Sequence, residues 1–302
     1  MSLRRTKIKK RKPVIRQQLQ SEQLFDIPPG PPPEPEVSPI REPIWTENKS
    51  KLISRYLFYF VMITKHGTYI DGFAGPQEPD KPHMWAAKLV LESEPRWFRN
   101  FYLFDAGEEQ VEALQKLKEA QPSDPKRTIE IIPGDFNATV LGLLSAQKIK
   151  MSEACFCLLD QRTFECRWET LVRLARYKTS GNKIELFYFL PNHWFSRALS
   201  GIKDTTRVEQ WWGREDWKRL YDIDSSQRVE LIVRRFKEEL GYNSVKPWPI
   251  FERNDGGAIM YYMIHATDHP LAPSLMSRAY RKAVTPLEPI EQLKLDLAEF
   301  LT

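Results

Sequence analysis

The spacing of apolar positions changes character several times along this chain. Thr46-Glu47-Asn48-Lys49, followed by Leu52, Ile53, Tyr56, Leu57 and Phe60, sets a capping candidate before apolar residues at helical spacing and predicts a helix with one buried face. Thr68-Tyr69-Ile70-Asp71 then reads as a short strand that stops at Gly72-Phe73-Ala74-Gly75-Pro76. Four more short β-rich runs follow at Phe101–Asp105, Thr128–Ile132, Ala154–Asp160 and Ile184–Leu190. Helical patterns fall between them at Glu108–Ala120, Asn137–Lys148 and Trp168–Tyr177, with a short one after Pro191. Strands alternating with helices at this spacing predict a mostly parallel sheet with helices on both faces.

The last third breaks the alternation. Arg207–Tyr221 and Ser226–Leu240 read as two consecutive helices, so a helical insertion is expected at about 200–242. Val245–Phe251 and Ala258–Thr267 read as strands joined across Asn254-Asp255-Gly256-Gly257, a turn composition that permits positive φ and predicts a hairpin. The expected whole is an open α/β sheet closed by a C-terminal antiparallel hairpin with a reversed edge strand.

Composition narrows the class. In 302 residues, 41% are hydrophobic and 28% charged, which is ordinary for a folded soluble chain. The longest apolar run, Tyr56–Thr64, is far short of the roughly 20 residues that cross a bilayer, so no membrane association is expected. Cys155, Cys157 and Cys166 lie too close together to staple distant parts of the chain, which points to a reducing, cytoplasmic setting. The charge of +5 sits mainly at one end: residues 1–44 hold nine Lys or Arg against five Asp or Glu. There a basic run from Arg4 to Lys12 precedes Pro28–Pro43, in which eight of sixteen residues are proline. Residues 1–44 are therefore expected to be a basic, disordered tail and an extended linker, and 45–302 a single domain. Such a tail either holds phosphates of a nucleic acid or acts as a solubilising leader.

In open α/β sheets ligands bind beyond the carboxyl ends of the strands, and four of the first five strands here end in a carboxylate. After the first strand, Asp71, Gly72, Phe73 and Gly75 form a turn whose glycines let backbone approach a ligand closely. Asp105, after the second, can accept both hydroxyls of a ribose. Asp135 and Phe136, after the third, offer a carboxylate to an adenine amino group and a ring to its face. Asp160, after the fourth, lies where a transferred group would be. Asp105 follows Asp71 by 34 residues, longer than the roughly 20 of a dinucleotide fingerprint, which argues against an NAD site. The order of features is instead that of class I S-adenosylmethionine-dependent methyltransferases.

Tyr69–Pro76, Phe104-Asp105, Gly134-Asp135-Phe136-Asn137, Leu158-Leu159-Asp160 with Trp168 and Leu171, Trp211-Trp212-Gly213 and Tyr261–Ala266 together resemble the three-Cys-motif partner (TcmP) proteins. The resemblance runs from about Trp45 to Ala283. It implies a Rossmann-like class I methyltransferase fold, S-adenosylmethionine as cofactor, a mostly bacterial distribution and a partner protein bearing three cysteines. Many members carry Asp-Pro-Phe/Tyr-Gly after strand four, whereas this chain has Asp160-Gln161-Arg162-Thr163. In the substituted motif Asp160 is the expected catalytic residue, with the Gln161 carbonyl taking a second amine hydrogen. Phe164 or Trp168 would hold a base by its face, and Arg162 would suit a phosphate or carboxylate on the substrate.

Other chemistry is less favoured. Cys155 and Cys157 share one face of a strand, where buried cysteine packs as a small apolar group, and their spacing lacks the Cys-x2-Cys form of zinc sites, so no metal is expected. His193, His265 and His269 lack an accompanying nucleophile motif, and Trp211, Trp212 and Trp217 read as a packed helix face. The leading expectation is a methyltransferase acting on a nucleic acid or nucleotide-containing substrate. The rival is a catalytically silent module that binds a partner protein or nucleic acid.

Overall fold

The computed structural model describes residues 44–202, 204–253, 256–283 and 298. The basic, proline-rich segment up to residue 43 and the expected turn residues Asn254 and Asp255 lie outside the described residues.

Helix α1 (Ile44–Thr64) leads to β1 (Gly67–Asp71), a short 3-10 helix (Pro82–Met84) and α2 (Ala86–Leu91). Alternation then runs through β2 (Phe98–Asp105), α3 (Glu108–Glu119), β3 (Thr128–Pro133), α4 (Phe136–Ser145), β4 (Cys155–Leu159), α5 (Trp168–Arg176) and β5 (Glu185–Pro191). Three helices, α6 (Phe195–Gly201), α7 (Thr206–Trp212) and α8 (Ser225–Glu238), precede β6 (Ser244–Arg253), β7 (Gly256–Thr267) and α9 (Ala272–Ala283).

The seven strands form one sheet in the order β3-β2-β1-β4-β5-β7-β6. β1 to β5 pair in parallel, β7 is antiparallel to β5, and β6 is antiparallel to β7. Burial follows position. Every residue of β1, β4 and β5 is buried, while the edge strand β3 is exposed at both ends. Strands covered on both faces lose the alternation that marks a half-exposed sheet, which is why they read as continuous apolar runs. Alternate side chains feed two cores. Ile70, Cys157, Leu159 and Leu186 pack with α4, α5 and the α6–α8 segment, and Tyr69, Phe156, Leu158 and Phe187 pack with α1, α2, α3 and α9.

Several expectations need correction. Helix α1 already includes Ile44, so Thr46 lies within its first turn and not at its cap. The reversed strand is β7, which sits inside the sheet, and the edge belongs to β6. The single helix expected over Arg207–Tyr221 is broken at Gly213, which ends α7 with φ 70°. A Cβ there would lie 2.5 Å from Trp168 Cβ, so glycine is required by space as well as by backbone. The chain resumes as a 3-10 helix at Glu215–Tyr221. Asp224 then starts α8 with a reciprocal cap: its side chain accepts from Gln227 N (2.9 Å), and Gln227 Oε1 accepts from Asp224 N (3.0 Å).

Among the described residues no helix is long and apolar enough to cross a membrane.

Candidate active site

The sheet order reverses between β1 and β4, and the crevice beyond the carboxyl ends of these strands is where such a sheet can admit a ligand. A cleft of about 430 Å³ opens there, lined by Gly72, Phe73, Gly75, Asp105, Gly107, Asp135, Phe136, Asp160, Arg162 and Phe164 among others. A narrow extension of about 30 Å³ adjoins it, lined by Lys49, Asp71, Lys81, Trp85 and Asp160. Phe73, Gly75, Gln77 and Asp160 border both.

The β1 turn is held against β2 by backbone and carboxylate together. Gly72 N donates to Leu158 O (3.0 Å), Ala74 N to Phe104 O (2.8 Å), and Gly75 N to Asp105 Oδ2 (2.8 Å). Asp105 Oδ1 accepts from Gly107 N at 3.0 Å. Each carboxylate oxygen has two acceptor directions, so Asp105 spends one per oxygen on the loop and keeps one per oxygen toward the cleft. A Cβ on Gly75 would lie 2.2 Å from Gln110 Cβ and 2.6 Å from Asp105 Oδ2, so the close approach of these two turns excludes any side chain.

Asp135 is the N-cap of α4: Oδ1 accepts from Asn137 N (3.2 Å) and from Asn137 Nδ2 (2.8 Å). Its other oxygen lies 3.7 Å from Arg167 at the cleft rim, with half the side chain exposed. Phe136 is buried 5.9 Å from the half-buried ring of Phe73, centroid to centroid.

Asp71 is not a wall of the main cleft. Its side chain faces the extension, accepting from Tyr69 Oη (2.8 Å) and Phe73 N (3.2 Å). Burial pushes its carboxyl up to about 7 against the lowering effect of these two donors, and the nearby Asp160 and Asp105 carboxylates raise it further. The folded protein therefore holds a proton that the unfolded chain releases near the ordinary carboxylate value, so stability falls as pH rises from about 4 to 7. Asp71→Asn lacks that slope. Its melting temperature relative to the native protein is expected to climb by several degrees between pH 5 and pH 8, at roughly 1.4 kcal/mol per pH unit before the native group is fully charged. A difference that stays constant across this range contradicts the assignment.

Asp160 is buried at the end of β4, and Lys49 Nζ from α1 meets its Oδ2 at 2.5 Å. The two residues are 111 apart in sequence, and no local pattern announced Lys49. Because Lys49 also stands 5.8 Å from the Tyr261 ring centroid, the ammonium is held between a carboxylate and an aromatic face.

Gln161 requires a correction. Its Nε2 donates to Phe189 O (3.1 Å), and its Oε1 accepts from Glu165 N (2.9 Å) and Cys166 N (2.8 Å). Both lone pairs of the side-chain carbonyl are spent on folding the 161–167 loop, so it has none left for a substrate amine. Asn137, named in the sequence only as the last residue of the Gly134–Asn137 motif and given no role there, ties the same loop to α4: its Nδ2 donates to Glu165 O (2.9 Å), and its Oδ1 accepts from Arg167 N and Thr170 Oγ1, both at 2.8 Å. Trp168 also leaves the site. It is buried beneath Arg235, whose guanidinium lies 3.7 Å from its ring centroid and 4.2 Å from that of Trp212. Phe164 lines the cleft but is packed edge-on against Phe195 and Trp211 at 5.4 and 4.9 Å, so it serves as a fixed wall.

Arg162 and Arg207 are exposed on the cleft wall, and neither guanidinium has an ion pair among the described residues. Arg162 meets Glu165 only through its backbone N–H, at 2.6 Å.

No protein-family profile matches the sequence, and no curated protein matches it. Among solved structures, the methyltransferase domain of bacterial CtHen1 is similar over 73% of this chain and 99% of its own, at 13% identity and a TM-score of 0.42. TYW2 of M. jannaschii in complex with AdoMet is similar over 72% and 75%, at 9% identity and 0.37. Trm1 from Pyrococcus horikoshii with S-adenosyl-L-methionine is similar over 78% and 58%, at 12% identity and 0.37. The strand order carries the fold assignment by itself. With β1 to β5 parallel in the order 3-2-1-4-5 and a reversed β7 inserted beside β5, the chain has the Rossmann-like fold of class I methyltransferases.

Proposed function

We propose that this protein is an S-adenosylmethionine-dependent methyltransferase whose acceptor is a nucleic acid or another nucleotide-containing molecule. The observation that carries the reading is the meeting of Gly72, Gly75, Asp105, Asp135 and Phe136 around one cleft of about 430 Å³ at the topological switch point. That volume lies within the ~300–1,000 Å³ of small-molecule sites. The fit to the cofactor is chemical. Asp105 keeps two free acceptor directions for a ribose diol, Asp135 keeps its outward oxygen for an adenine amine, and the β1 turn is bare enough at Gly72 and Gly75 for close approach.

When bound, S-adenosylmethionine supplies an electrophilic methyl on a sulfonium. The chain's part is to bind, orient and neutralise. Asp160 would hold the hydrogen of the acceptor group, with Lys49 Nζ 2.5 Å from its Oδ2 as the partner that fixes its place at the cleft. Arg162 and Arg207, which have no ion pair among the described residues, would take phosphates of the acceptor.

We further infer kinship with the three-Cys-motif partner proteins, on the segments from Tyr69 to Ala266 quoted above, and with it a protein partner bearing three cysteines. The basic segment at 4–12 would add phosphate contacts. The salt slope of oligonucleotide binding is then expected to be steeper for the full chain than for residues 45–302, and equal slopes would make the segment a solubilising leader.

Asp105→Ala tests the cofactor site. It is expected to weaken S-adenosylmethionine by about 1–3 kcal/mol in calorimetry, through loss of charge-assisted hydrogen bonds and of the loop anchor. Unchanged affinity in a folded variant would remove the ribose assignment.

A further inference from the structure

At the opposite end of the sheet from the cleft, a second cavity of about 150 Å³ lies under the amino-terminal ends of β4 and β5. Its apolar walls are Phe60 and Ile63 from α1, Ala272 and Leu275 from α9, and Met151 from the loop before β4. A cavity of that size accommodates one six-membered aromatic ring.

The polar groups on its surface are unevenly spent. Glu185 is buried and largely engaged: Tyr56 Oη donates to Oε1, His265 Nε2 stands 2.8 Å from the same oxygen, and Thr267 Oγ1 donates to Oε2 at 2.9 Å. Lys183 is engaged by Asp268 Oδ2 (3.0 Å) and Gly241 O (2.8 Å). Lys178 is different. It is 8% exposed, and its ammonium donates to Glu153 O as its sole partner among the described residues. Two of its three N–H groups have no acceptor among the described residues, and no carboxylate there is in ion-pair contact with it. The Glu153 carboxylate on the same wall, held by Asn100 Nδ2 at 3.1 and 3.3 Å, attracts it only at longer range, and burial, the larger effect, pulls its pKa below the ordinary lysine range. His269 adds a donor, because its Nδ1 accepts from Leu271 N (3.3 Å), which leaves the proton on Nε2.

We infer that this cavity is a binding site for a small apolar monocarboxylate of about benzoate size, its ring against Phe60, Ile63 and Leu275 and its carboxylate on Lys178. Surplus donors at one end call for an acceptor-only anion, and a buried ammonium that no carboxylate touches directly gains most from one. A single cation with no ion-pair contact among the described residues matches a monoanion, and the small volume excludes a nucleotide. The site shares no residue with the cofactor cleft.

The test is a titration of the full chain with sodium benzoate, read by methyl NMR and calorimetry, with benzyl alcohol as the uncharged comparison. Saturable shifts at Ile63, Leu275 and Met151 are expected, with benzoate tighter than the alcohol. Lys178→Met should weaken benzoate by about tenfold or more and leave the alcohol and S-adenosylmethionine unaffected. Absence of these shifts up to about 10 mM benzoate, or equal benzoate affinity in Lys178→Met, overturns the proposal. Should that variant not fold, Leu275→Phe, which fills the cavity, must abolish the shifts at Ile63 and Met151, and their persistence overturns it equally.

Discussion

Asp160→Asn is expected to cut methyl transfer by about 10²-fold or more, because the group that would orient the acceptor and take up its proton is lost. The same change strips the counter-charge from Lys49, whose side chain is 4% exposed. Leaving a buried ammonium unpaired costs about 3–5 kcal/mol, so the variant should also melt early. Early melting alone therefore does not separate a structural Asp160 from a catalytic one. The double variant Lys49→Gln/Asp160→Asn does, since it removes both charges and keeps hydrogen-bonding groups of similar size. Stability is expected to return in large part while transfer, read as S-adenosylhomocysteine released with bulk RNA as acceptor, stays low. If both return together, Asp160 serves the fold only and the silent-module reading gains.

Gly75→Ala should reduce S-adenosylmethionine affinity by more than Asp105→Ala does, although it adds a single methyl. That methyl would stand 2.2 Å from Gln110 Cβ and 2.6 Å from Asp105 Oδ2. The first of these atoms is fixed to the backbone of α3 and cannot rotate aside. The turn must therefore part from α3, taking the Gly75 N–H off Asp105 and misplacing the carboxylate that would hold the ribose. Overpacking of this kind costs about 1–3 kcal/mol in the fold, added to the lost binding. Calorimetry on the variant checks it, and affinity equal to that of the native protein would mean that the ligand does not approach this turn.

The parallel half of the fold was legible because its strands are buried on both faces and its helices on one, so two simple periods cover residues 67 to 191. The carboxylates at the strand ends were legible for the same reason: topology places them, whatever the side chains do. Partners were not. Gln161 looked available in sequence, but three hydrogen bonds from its own loop and from β5 consume its amide. Trp168 opens α5 and was expected, with Phe164 as the alternative, to hold a base by its face, yet Arg235, 67 positions onward, stacks on it inside the core. Lys49 belongs to a helix read purely as packing, and only the folded sheet brings it to Asp160. Helix α9 did carry a signal that went unread, in the helical spacing of Leu275, Met276, Ala279 and Ala283. Short-range pattern thus gave the scaffold and the acidic rim. The long-range pairings decide which of those residues are free to do chemistry.

The most direct test of the central claim is a crystal structure of the protein grown with S-adenosylmethionine. The account predicts cofactor density along the β1 turn at Gly72 and Gly75, with the ribose hydroxyls on Asp105 and the adenine between Asp135 and Phe136. An empty cleft at saturating cofactor, or density anywhere else on the molecule, would contradict it.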